Sequence, residues 1–162
     1  MTPLRCFVEI PKGSRNKYEW DPGLQAIRLD RFLFSSVVYP ADYGFIPDTC
    51  AEDGEPLDAL VCLTKPTFPG CLIEVRAVAV LRMLDDEEPD DKVLCVPDRD
   101  PGWSGVEGLD DVSAQLRTEI EHFFSVYKQL ERKDAAVDGW YPRDDALRII
   151  DEARERYAAG GS

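Results

Sequence analysis

The stretch Asp53-Gly54-Glu55-Pro56-Leu57-Asp58-Ala59-Leu60-Val61-Cys62-Leu63 divides into two halves of opposite chemistry. The first half holds three carboxylates in six residues, punctuated by Gly54 and Pro56. Gly54 permits a sharp turn, and Pro56 fixes φ and removes a donor, which predicts a rigid loop. The second half is a short apolar run suited to a buried strand. A tight acidic loop anchored on such a strand is a good place for a hard cation. Mg2+ takes oxygen ligands, keeps several waters and uses one or two protein carboxylates.

Outward from this stretch, the N-terminal side reads as antiparallel ribbon. Phe7 to Pro11 alternates Val8 and Ile10 on one face with Glu9 on the other. Lys17-Tyr18-Glu19-Trp20 is again strand-like; Asp21-Pro22-Gly23 is a turn, and Ala26 to Leu29 a returning strand. The aromatic segment from Phe32 to Pro47 carries prolines and a glycine, so it is read as neither a long helix nor a plain strand. Phe32, Phe34 and Phe45 read as core, while Tyr39 and Tyr43 are placed to turn hydroxyls into a pocket.

On the C-terminal side, Cys71 to Met83 is one long strand or two sharing a bend. Leu84 to Lys92 is an acidic hairpin, and Val93 to Pro97 the strand returning from it. Val112, Leu116, Ile120, Phe123, Tyr127 and Leu130 recur at helical steps, with Asp110 and Asp111 before them, which predicts a helix over 112–130. His122, the only histidine, lies off that stripe and reads as a surface or packing residue. Gly139-Trp140-Tyr141-Pro142 reads as a break, 144–158 as a second amphipathic helix, and 158–162 as a flexible tail. No repeat or linker interrupts the chain, so 1–162 is expected to be a single domain.

Composition narrows the function. A hydrophobic share of 44% excludes wholesale disorder. A formal net charge of −13 opposes binding to nucleic acid or to anionic membrane, both of which need lysine and arginine. No apolar run approaches the roughly 20 residues of a membrane helix, and no signal peptide is evident. The five cysteines are widely spaced, odd in number and without a Cys-x-x-Cys pair. Cys62, Cys71 and Cys95 read as small core residues, and the set as a whole fits a reducing compartment, so a cytoplasmic location is expected.

Three sources of carboxylate stand out: Asp53, Glu55 and Asp58 in the loop, Asp85 and Asp90 in the hairpin, and the strand glutamates Glu9 and Glu19. Lys17, Arg31, Lys92 and Lys128 are available to meet them, although Lys128 near a helix end also has a dipole reason to be there. Acids alone point to a metal-binding module. Acids interleaved with lysine, arginine and tyrosine point to metal-assisted phosphoryl chemistry. There, two divalent ions about 3.5–4 Å apart activate a water, and fixed cations neutralise phosphate oxygens. The Gly-rich phosphate-loop and dinucleotide fingerprints are missing, serine-hydrolase chemistry would rest on His122 alone, and the acidic loop does not have EF-hand spacing.

The segments Glu9-Ile10-Pro11, Lys17-Tyr18-Glu19, Asp30-Arg31-Phe32, Tyr39-Pro40-x-x-Tyr43-Gly44, Asp53-Gly54-x-Pro56-Leu57-Asp58, Asp85…Asp90-x-Lys92 and His122-Phe123-Phe124-x-x-Tyr127-Lys128 span nearly the whole chain. In this order the sequence resembles the soluble family I inorganic pyrophosphatases, short bacterial type. The resemblance implies an α+β fold: a five-stranded OB-like antiparallel β-barrel flanked by two main helices, assembled as a homohexamer. It implies Mg2+-dependent hydrolysis of pyrophosphate to two orthophosphates through a metal-activated water. By position it makes Asp53, Asp58, Asp85, Asp90 and Glu9 the metal ligands. It makes Lys17, Arg31, Tyr43, Lys92, Tyr127 and Lys128 the phosphate-binding groups, with Glu19 and Tyr39 in support.

One residue departs from that pattern. The family carries aspartate at the position of Glu55, where it assists deprotonation of the attacking water. Glutamate keeps the charge but moves the carboxylate by about a bond length, on the order of 1.5 Å, a shift that catalytic geometry tolerates poorly. Three outcomes are compatible with it: the loop adjusts and the enzyme works, the enzyme is slow, or Glu55 is an introduced change. The alternative function is therefore an impaired pyrophosphatase relative that binds Mg2+–pyrophosphate. A single-strand nucleic-acid binder on a similar barrel is disfavoured by the charge and by the lack of a basic aromatic face.

Overall fold

The fourteen-residue strand β6 (Leu72–Asp85) is the spine of the fold. The computed structural model describes residues 3–131 and 133–160. Nearly unbroken apolar and β-branched character lets the middle of β6, from Val75 to Met83, be mostly buried, and four other strands pair with it. Its first residues pair with β1 (Arg5–Ile10), its middle with β8 (Lys92–Pro97), and its far half with β9 (Ala135–Pro142) and the short β7 (Glu88–Pro89). β1 also pairs with β4 (Asp42–Ile46), β4 with β5 (Leu57–Val61), and β5 with β8. The path β1–β4–β5–β8–β6–β1 therefore closes into the five-stranded barrel that the resemblance implies.

Four of the five pairings in this ring are antiparallel, but β5 and β8 run parallel, with Asp58 beside Lys92. Hydrophobic alternation locates strands without giving their direction. The excursion through β6 and β7 brings the chain back beside β5 in the same sense.

Alternation along the strands supplies two apolar clusters. Leu60, Leu94, Ala79 and Leu81 join Ile120, Phe123 and Phe124 of α1 (Ala114–Val126). Ala59, Val61, Val93 and Cys95 join Ala146, Ile149, Ile150 and Ala153 of α2 (Arg143–Ala158). Cys6, Cys62 and Cys95 are buried, and burial pushes their thiols up, as suits core residues. Among the described residues, no helix is long and apolar enough to cross a membrane.

β2 (Asn16–Asp21) and β3 (Ala26–Phe32) stand apart as a two-stranded sheet. Leu33 N donates to Arg15 O at 2.7 Å and closes the base of this hairpin, and Gly13 N donates to Tyr39 O at 2.8 Å between the segments that lead back to β1 and β4.

Several boundaries differ from the sequence reading. The aromatic segment contains a plain strand, β4, whose Gly44 lets β1 approach, and Phe32 and Phe34, expected in the core, are instead exposed. The expected break at 139–142 is the end of β9, in which Gly139 has φ of 148° opposite a register shift in β6. α1 is shorter than 112–130. Ser113 Oγ caps it by accepting from Leu116 N, and after Tyr127 the chain tightens into a 3-10 turn over Gln129–Glu131. The acidic hairpin forms as expected, with Asp86 and Glu87 at φ of 50° and 68°. α2 ends at Ala158 with a turn through Gly160, and 161–162 of the expected tail lie outside the described residues.

A Cβ at Gly44 would lie 1.8 Å from the carbonyl oxygen of Phe7 on β1. Gly44→Ala therefore forces two barrel strands apart, and chemical denaturation is expected to show a loss of about 3 kcal/mol.

Candidate active site

Lys92 is the first residue of β8 and its side chain is buried at 2% exposure. Such burial requires partners for all three ammonium protons. The fold supplies them: Lys92 Nζ lies 2.7 Å from Asp58 Oδ2, 2.9 Å from Asp90 Oδ2 and 2.7 Å from the Tyr43 hydroxyl. The parallel register puts Asp58 beside it, and β4, the next strand, brings Tyr43. The rings of Tyr43 and Phe124 face the ammonium at 5.2 and 5.3 Å.

Burial opposes the charge on Lys92, but Asp58, Tyr43 and Asp90 outweigh it and hold its pKa well above the usual lysine range. Burial pushes Asp58 up to about 6, with Lys92 opposing and the negative charge of Asp90 adding to the rise. For Asp90, burial is outweighed by Lys92 and by the hydrogen bond with Asp58, so it stays below the ordinary aspartate value.

Around this cluster opens a cleft of about 480 Å3. β1 contributes Glu9, whose Oε2 accepts from Trp20 N at 2.8 Å and so fastens the β2–β3 hairpin to the barrel. Burial raises Glu9 to about 7, against the Trp20 hydrogen bond and with help from the charges of Asp58 and Glu19. The hairpin brings Lys17 and Glu19. Asp53 and Glu55 stand on the exposed rim, where Asp53 Oδ1 accepts from Glu55 N at 2.9 Å and holds the turn. Thr49 closes the base of that loop: its hydroxyl donates to Ile46 O and accepts from Leu57 N. The end of α1 brings Tyr127 and Lys128, and Lys128 pairs with Asp85. Tyr39 is buried against Phe123 and Tyr43, with ring centroids 4.6 and 5.6 Å away. Burial raises the phenol pKa values of Tyr39, Tyr43 and Tyr127, which keeps them protonated as donors.

Of the residues singled out in the sequence, only Arg31 does not line the cleft. It sits opposite Lys17 in the hairpin, paired with Asp30 and Glu131. The sequence reading missed Trp20, Pro22 and Phe45 on the cleft wall, and the carboxylates of Asp30 and Glu131 behind it. Asp30 stood inside a quoted motif; Glu131 carried no signal, because the 3-10 turn that presents it is invisible in the helical stripe. His122 is exposed on α1, as expected.

Seven carboxylates line the cleft against three lysines. An anionic ligand would be repelled there unless cations came with it. The donors are all oxygen, and Asp85 Oδ1 is buried without a hydrogen-bond partner, which suits hard divalent ions. Among the described residues, no three acidic, histidine or cysteine side chains converge as a ready metal cage. Lys92 stands between Asp58 and Asp90, and Lys128 holds Asp85.

Carboxylates to take cations, and lysines with tyrosines to take phosphate oxygens, are the parts of a phosphoanhydride hydrolase. Residues 6–158 match the family described as inorganic pyrophosphatase. The inorganic pyrophosphatase of Methanosarcina mazei is 56% identical over 151 residues, which are 93% of this chain and 89% of that protein. That of Streptomyces coelicolor is 51% identical over 156 residues, 95% of each chain. The crystal structure of the Thermus thermophilus inorganic pyrophosphatase superposes with a TM-score of 0.93 at 45% identity, covering 95% of this chain and 90% of that one. This chain belongs to the inorganic pyrophosphatase family, whose members use divalent metal ions.

Replacing Lys92 by methionine would leave Asp58 and Asp90 facing each other without a counter-charge. In chelator, Lys92→Met is expected to lose about 3–5 kcal/mol of unfolding free energy. Adding a divalent cation should recover part of the loss, as read by thermal denaturation.

Proposed function

We propose that this chain hydrolyses inorganic pyrophosphate to two orthophosphates in the cleft around Lys92, with several Mg2+ ions bound by Asp53, Asp58, Asp85, Asp90 and Glu9. The observation that carries the reading is the charge balance of that cleft, in which carboxylates outnumber lysines and an anionic substrate needs added cations. Family membership supports the activity directly. Bound Mg2+ supplies a water of lowered pKa and positive charge on the phosphate oxygens.

The chain's own groups do the rest. Lys17, Lys92, Lys128 and Arg31 take phosphate oxygens, and the protonated phenols of Tyr43 and Tyr127 donate to the leaving phosphate. Glu55 is the carboxylate placed to assist removal of the water's proton. It lies on the exposed, loop-borne rim, which gives its longer side chain room to adjust. Glu19 and Tyr39 support the wall and floor. The impaired-relative alternative finds no support in the comparisons, which match proteins named as inorganic pyrophosphatases along almost the whole chain.

The whole chain 1–162 acts as one catalytic domain in this reading, in the cytoplasm, without nucleic-acid or membrane partners. A net charge of −13 supports the last point. Assembly as a homohexamer follows from the resemblance and agrees with exposed apolar side chains such as Phe32, Phe34 and Phe68.

Phosphate release from pyrophosphate, measured with and without Mg2+, tests the activity, and turnover without metal would contradict it. Asp58→Asn is expected to lose at least about 10²-fold in kcat; a near-normal rate would remove the acidic loop from the metal site. Glu55→Asp is expected to be faster than the parent, and an unchanged rate would show that the extra methylene is absorbed.

A further inference from the structure

Two walls of the cleft come from parts of the fold that share no strand. One is the separate β2–β3 hairpin, which carries Lys17 and Arg31. The other is the end of α1, which carries Tyr127 and Lys128. An ion pair joins them: Arg31 Nε lies 2.7 Å from Glu131 Oε1, without the geometry of a hydrogen bond. The Glu131 side chain is only 6% exposed, and its second oxygen, Oε2, is buried without a hydrogen-bond partner. Arg31 Nη1 lies 3.0 Å from Asp30 Oδ2, while Nη2 is buried and unpartnered. Asp30 also faces Lys17, at 3.5 Å.

We propose that Glu131 is a positioning residue for the reaction: its charge pairs with Arg31 and so holds the guanidinium opposite Lys17, just behind the cleft lining, from where it reaches a phosphate oxygen. The inference rests on the reading of Arg31 as a phosphate-binding group. A long arginine stem left to itself samples many rotamers, and its nearest alternative partner is Asp30, the residue next to it. Turning wholly to Asp30 would also compete with Lys17 for that carboxylate. Glu131 prevents this because its own place is fixed: its backbone N donates to Lys128 O at 3.0 Å, which sets the carboxylate one 3-10 turn beyond Lys128. Nε and Nη2 are both buried without a hydrogen-bond acceptor, a costly state that a phosphate oxygen reaching the guanidinium would relieve. The clasp thereby couples the placement of two phosphate-binding groups on one wall to two on the other.

The test uses the full chain with Mg2+. Steady-state kinetics on pyrophosphate are combined with calorimetric binding of methylenediphosphonate, which is not hydrolysed, for Glu131→Gln, Arg31→Ala and the double variant. Glu131→Gln is expected to raise KM and weaken methylenediphosphonate about tenfold, with kcat within about twofold. In the Arg31→Ala background the same change should have no further effect. No effect of Glu131→Gln, an equal effect in both backgrounds, or a loss confined to kcat and Tm would overturn the clasp. Glu131→Asp keeps the charge but shortens the reach, and should show a smaller rise in KM. Failure of both Glu131 variants to fold would mark the residue as structural and also overturn the proposal. A parent chain that neither turns over pyrophosphate nor binds methylenediphosphonate would instead sink the functional reading itself.

Discussion

A lysine ammonium buried between two aspartates is the constraint around which this protein is arranged. Three partners within 2.9 Å satisfy Lys92 Nζ, and they come from three places in the chain. A buried charge lacking any of them would cost several kcal/mol, so the barrel is stable only in the register that brings Asp58, Asp90 and Tyr43 together. The same arrangement gives the cleft its chemistry. Without metal, the lysine is the counter-ion that lets the carboxylates lie close. In the proposed reaction it is a fixed positive charge next to the substrate. A structural role and the proposed catalytic one thus fall on one side chain.

Most of the site was legible in the sequence because its groups fall in short, ordered segments that the family resemblance could place. The acidic loop and the strand after it were readable from chemistry alone: glycine and proline shape the loop, and the apolar run fixes where it is anchored. What the residues could not give was direction and pairing. Nothing in the alternation of Leu57 to Val61 says that its neighbour runs parallel, and that pairing is what sets Asp58 beside Lys92. β9 was missed for a related reason. Gly139 and Pro142 look like breakers, but Pro142 is the last residue of the strand and Gly139 faces a register shift, where both are tolerated. The pairing of Arg31 with Glu131 was unreadable because it depends on a 3-10 turn after a helix whose apolar stripe continues past its end.

Exposure separates the acids by task. Asp58 and Asp90 are held by Lys92, and Glu9 by a backbone N–H, so their positions are set before any ligand arrives. Asp53 and Glu55 stand on a solvent-facing turn braced from beneath by Thr49. A change of side-chain length is more easily absorbed at such a rim than at the floor. This gives a physical reason why this chain's departure from the pattern implied by the resemblance falls at residue 55 and not at residue 58.

Closure of the ring joins the first strand to β6, and the cleft draws on residues from Glu9 to Lys128. Lys92 reaches its partners across 34 and 49 positions of chain. Such a high contact order slows folding relative to helical proteins of the same size. It also means that synthesis must pass Lys128 before the groups of the cleft can all come together. A nascent or truncated chain ending before α1 would carry the acids without Tyr127 and Lys128, and would lack one wall of the cleft.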